Sequence, residues 1–120
     1  MSFDLVVLSV RSHLTDQQAD EIHGQICEGD LRSIVPSKSI ENFYRELTAK
    51  HPEIDDVAEE RLDDLDYCPW SVAIHRSDGH LILSSVWSKS EYVSALIYEL
   101  ASKCNLTVYD PQTGKVTNRK

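Results

Sequence analysis

The chain reads as an α+β domain in the order β-α-α-β-β-α-β. Three observations predict this: an unbroken apolar, β-branched run near the start, three segments with helical apolar spacing, and an Asp-Gly pair between two strand-like runs. Residues 3–10 (Phe-Asp-Leu-Val-Val-Leu-Ser-Val) contain no breaker and read as a central strand. Thr15-Asp16-Gln17-Gln18 fits a capping box, so a helix starts there. Ala19, Ile22, Ile26 and Cys27 mark its inner stripe, and Gly29 is its expected stop. Pro36 punctuates the next loop. Ile40, Phe43, Tyr44 and Leu47 then follow at i, i+3, i+4, i+7, a second amphipathic helix that Ser37 or Ser39 can cap and that Pro52 ends.

Ser71–Arg76 and His80–Trp87 read as two strands joined at Asp78-Gly79, the strongest short hairpin signal. Ser88-Lys89-Ser90-Glu91 reads as another capping box. Behind it Tyr92, Val93, Leu96, Ile97, Leu100, Ala101 and Cys104 share one broad helical face, which Asn105 can close in the left-handed conformation. Leu106–Tyr109 is a strand. Asp110–Gly114 is a turn, and Lys115–Thr117 can pair back as a short edge. Without one of the first two helices, this order is the split βαβ of ferredoxin-like folds, so a ferredoxin-like variant is expected. Its sheet should be mixed or antiparallel, with helices mainly on one face. Residues 1–120 are read as a single domain, because no linker, repeat or low-complexity tract divides them.

Net charge is −8, with 20 acids against 12 Lys and Arg. That balance disfavours direct binding to nucleic acid, which needs a basic footprint, and disfavours docking on anionic membrane by charge. No apolar run approaches the roughly 18 residues of a membrane span, and the amino-terminal segment lacks the features of a signal peptide. Three widely spaced cysteines, Cys27, Cys68 and Cys104, suit a reducing compartment, so the cytoplasm is expected. Cys27 and Cys104 read as core residues on helix faces.

The acidity is local. Between Glu53 and Asp66 stand eight acids (Glu53, Asp55, Asp56, Glu59, Glu60, Asp63, Asp64 and Asp66), opposed only by Arg61, so this window carries −7 of the −8. Val57, Ala58, Leu62 and Leu65 within it suggest a short helical turn lying on the body, mostly exposed. Such a window suits a basic protein partner, because complementary charge steers encounter. The expected contact residues are Asp55, Asp56, Glu59, Glu60, Asp63, Asp64 and Asp66, with Tyr67 or Trp70 as an aromatic anchor inside an acidic rim. The opposing expectation for the aromatics is that Trp70 and Trp87 are mostly core.

Other chemistry finds less support. No catalytic residue, cofactor, metal or small-molecule substrate is expected. Cys68 lies downstream of Asp63, Asp64 and Asp66, whereas a reactive thiolate wants positive surroundings. GxSxG, GxGxxG and GxxxxGK[ST] patterns are absent, as is EF-hand spacing. His75 and His80 flank the hairpin turn, could approach each other and with nearby Asp78 could hold zinc, although a hairpin tip more often holds solvated polar groups. His13, His23 and His51 are dispersed and suggest no site.

Several stretches together carry a resemblance. These are Met1-Ser-Phe-Asp-Leu, Asp66-Tyr67-Cys68-Pro69-Trp70-Ser71, Ser77-Asp78-Gly79-His80, and Tyr109-Asp110-Pro111-Gln112-Thr113-Gly114-Lys115-Val116. Over nearly its whole length the chain resembles small acidic bacterial proteins found near polymorphic toxins, similar to immunity proteins of contact-dependent growth inhibition systems. The resemblance implies a cytoplasmic protein, not an enzyme, that binds and silences one cognate toxin domain in bacterial competition. Two alternatives stand beside it: a regulatory or adaptor module outside any toxin system, and a small carboxylate-based metal-dependent enzyme.

Overall fold

The computed structural model describes residues 2–120; Met1, the first residue of the amino-terminal motif quoted above, lies outside them. The elements are β1 (Ser2–Leu8), α1 (Asp16–Cys27), α2 (Lys38–Lys50), β2 (His75–Ser77), β3 (His80–Val86), α3 (Ser90–Cys104), β4 (Thr107–Asp110) and β5 (Lys115–Thr117). They form one five-stranded sheet in the order β2-β3-β1-β4-β5, antiparallel throughout. Apart from β5 this is the split βαβ order of a ferredoxin-like sheet. The helix added to that plan is α1.

β1 pairs along its length with β3 and over Val6–Leu8 with β4. Leu5 and Val7 face the core shared with α2 and α3, whose contributions include Ile40, Phe43, Leu47, Val93, Ile97 and Ala101. Val6 and Leu8 face the second core, with Ala19, Ile22 and Ile26 of α1 and with Tyr109. A strand buried on both faces has no need to alternate, which explains the continuous apolar run. Two helices cover one face and the third covers the other.

Local chemistry fixes the ends. The Thr15 hydroxyl accepts from the Gln18 N–H and the Gln18 side chain accepts from the Thr15 N–H, so the capping box forms. Ser37 caps α2, and His51, placed before Pro52, leaves the helical region at φ −133°, ψ 90°. Asn105 closes α3 in the left-handed conformation at φ 57°. At the hairpin turn, a Cβ on Gly79 would stand 3.0 Å from the Val35 carbonyl oxygen, so any larger residue would press on the loop that passes over it.

Four expectations are corrected. The Ser88–Glu91 capping box does not form: a 3-10 turn, Trp87–Lys89, runs directly into α3, and Lys89 holds the cap position without a side-chain bond. The strand expected over Ser71–Arg76 shrinks to His75–Ser77, because Trp70 bridges Ser85 and His75 next pairs with Ile82, so residues 71–74 form a bulge opposite residues 83–84. Cys27 is exposed rather than core. Trp87, expected to be mostly buried, is 50% exposed and only leans edge-on against Phe3.

Candidate functional site

The acidic window leaves α2 at His51, crosses the surface through two 3-10 turns, Ile54–Asp56 and Glu59–Arg61, and returns at Cys68–Trp70 beside β3. Its middle is turned rather than helical: the Arg61 carbonyl accepts from Asp64 N–H, and the Asp64 carbonyl accepts from Tyr67 and Cys68 N–H. Ile54, Val57 and Tyr67 pack against the core and hold the segment down.

His51 staples both ends of this loop. Its side chain is buried, and Nδ1 lies 3.0 Å from the Tyr67 carbonyl oxygen. That oxygen can only accept, so Nδ1 carries a hydrogen, and Nε2 then accepts from the Tyr92 hydroxyl at 2.7 Å. The backbone carbonyl of the same residue accepts from the Trp70 indole N–H at 3.0 Å. One residue thus joins the end of α2, the end of the acidic segment and the first turns of α3. Spacing in the sequence cannot reveal this, because the Tyr92 contact spans 41 positions.

The eight acids divide by role. Glu53 is structural: its carboxylate accepts from the Ile74 N–H at 2.8 Å and from the Tyr44 hydroxyl at 2.5 Å, satisfying a donor that the bulge leaves without a strand partner. Burial, reinforced by this carboxylate, pushes the Tyr44 hydroxyl pKa up. Asp55, Asp56, Glu59, Glu60, Asp63, Asp64 and Asp66 are all exposed. Asp66 pairs with Lys89, whose hydrogen bond holds its carboxyl below the usual range, and Asp64 meets Arg61 at 3.5 Å. Among the described residues Asp55, Asp56, Glu59, Glu60 and Asp63 form no ion pair. The window is therefore a negative surface that the rest of the molecule neutralises only at its carboxy-terminal end.

The two expected anchors are placed differently. Trp70 is 2% exposed and belongs to the core, so it cannot insert into a partner. Tyr67 is half-buried, and the Arg61 guanidinium covers its ring at 3.4 Å from the centroid. The aromatic surface near the window comes instead from Tyr92, 48% exposed, and Trp87, both adjoining Lys89 in sequence. Sequence reading missed them because each looks like part of an apolar run.

Catalytic alternatives gain nothing from the geometry. Burial pushes the Cys68 thiol pKa up, opposite to the shift that activates a nucleophile. Among the described residues no cluster of three or more His, Cys, Asp or Glu side chains is arranged to hold a metal ion. His75 and His80 do meet across the hairpin, but His80 is fully buried rather than solvated at the tip. No family model matches the chain, and neither a curated protein nor a solved structure matches it. Among the described residues no helix is long and apolar enough to cross a membrane.

Proposed function

We propose that this protein is a cytoplasmic immunity protein, not an enzyme. It neutralises a cognate toxin domain, a basic nuclease in this reading, by stoichiometric binding through the acidic loop. One observation carries the reading: five exposed carboxylates without a cation partner among the described residues sit on a single segment stapled to a folded body. A loop held at both ends presents its charges with less ordering entropy to lose on association than a free tail. A nuclease must be basic to hold phosphates, so carboxylates on the inhibitor can occupy phosphate positions. The toxin protein domain is the only partner in this reading, with no nucleic acid, membrane or small molecule required.

The test is calorimetric titration against the toxin domain encoded by the adjacent gene. Asp63→Ala combined with Asp64→Ala is expected to weaken binding at least tenfold, since breaking charge pairs at such interfaces costs roughly 2–5 kcal/mol. The circular dichroism spectrum should not change, because neither side chain supports the core. Unchanged affinity overturns the proposal.

A further inference from the structure

The hairpin β2–β3 places three polar side chains on one face of the sheet. Ser77 stands opposite His80, and His75, two residues earlier, stands opposite Ile82. His80 is fully buried beneath the loop that passes over Gly79, whereas His75 lies on the edge strand and is exposed. The Ser77 hydroxyl lies 2.6 Å from His80 Nδ1, and His80 Nε2 lies 3.0 Å from His75 Nδ1. The outer atom of a buried imidazole thus faces a solvent-reachable imidazole nitrogen, and a hydroxyl holds the inner atom.

The geometry points to a two-histidine chelate for a divalent transition-metal ion, copper(II) foremost, formed by His80 Nε2 and His75 Nδ1. Two nitrogens 3.0 Å apart, each about 2.0 Å from a metal, subtend about 95° at it. That bite suits the right angles of tetragonal copper(II) or nickel(II) better than the wider tetrahedral angle of zinc. The Ser77 hydroxyl supplies the outer-shell contact that fixes the orientation of a ligating histidine. One hydrogen occupies the gap between the two nitrogens in the free protein; on binding it moves to the other nitrogen of the ring that carried it, so both histidines ligate as neutral imidazoles. Water completes the coordination from the exposed His75 side.

The test is titration with copper(II) chloride at pH 7, followed by calorimetry and by electron paramagnetic resonance. One equivalent is expected to bind with hyperfine coupling to two nitrogens. His75→Ala should weaken binding at least tenfold and remove the two-nitrogen signature, with circular dichroism checking that the variant stays folded although buried His80 Nε2 loses its partner. His13→Ala should leave both unchanged. Equal affinity in wild type and His75→Ala, or a wild-type spectrum without two coupled nitrogens, overturns the assignment.

Discussion

At the scale of single residues, two glutamates of the same loop differ in kind. Glu53 accepts from a backbone N–H and a tyrosine hydroxyl, whereas Glu59 bonds to no other side chain among the described residues. Removing an acceptor from a partly buried donor costs about 1–3 kcal/mol, so Glu53→Ala should lower the unfolding free energy by that amount in urea titration. Glu59→Gln should stay within about 0.5 kcal/mol. His80 gives a second prediction. Its folded pKa, about 4, lies below the ordinary histidine value of 6.5, so the unfolded chain binds the extra proton between those limits. This contribution to stability is complete above pH 6.5 and is lost progressively as pH falls toward 4. Denaturation midpoints should fall over that window, and His80→Gln should flatten the slope; an identical slope in the variant would count against a buried neutral imidazole.

At the scale of elements, the two capping sequences behave differently, and the difference can be measured. Thr15 makes its reciprocal bonds, so Thr15→Ala should destabilise by about 1 kcal/mol. Ser88 lies inside the 3-10 turn and caps nothing, so Ser88→Ala should be near neutral in the same thermal melt. The contrast shows where local pattern stops being informative. Helices α2 and α3, the hairpin turn and the central strand were legible because period and punctuation agreed over many residues. The bulge at 71–74 was not, because its freed N–H is satisfied by Glu53, a partner 21 positions away. Cys27 was misplaced because it lies one residue past Ile26, about 100° around the helix from the buried stripe. The acids of the window were legible as exposed charge, and of the two tryptophans expected in the core Trp70 lies there, so its reading as an anchor fails, while Trp87 does not. Trp70 bridges Ser85 in register with the core face, whereas Trp87 follows the last residue of β3, where strand alternation no longer governs direction.

At the scale of the whole molecule, nearly all the formal charge is carried by one loop on one side of an otherwise balanced body. A field arranged in this way acts at a distance of about a Debye length, roughly 8 Å at physiological salt. If the proposed partner is a basic toxin domain, association should slow steeply as salt is raised, by roughly tenfold or more between low and high ionic strength, while dissociation changes little. Stopped-flow association rates measured across a salt series check this, and a rate indifferent to salt would argue against steering by the loop.

The central position of β1 bears on how the molecule is made. Its neighbours, β3 and β4, are the stretches 80–86 and 107–110, so during synthesis β1 waits for some seventy further residues before either edge is paired. During that interval Leu5–Leu8 is a bare, sticky, hydrogen-bond-hungry ribbon, the kind of segment that nascent-chain chaperones shield. Synthesis at reduced speed should prolong this exposure and raise the fraction lost to aggregates.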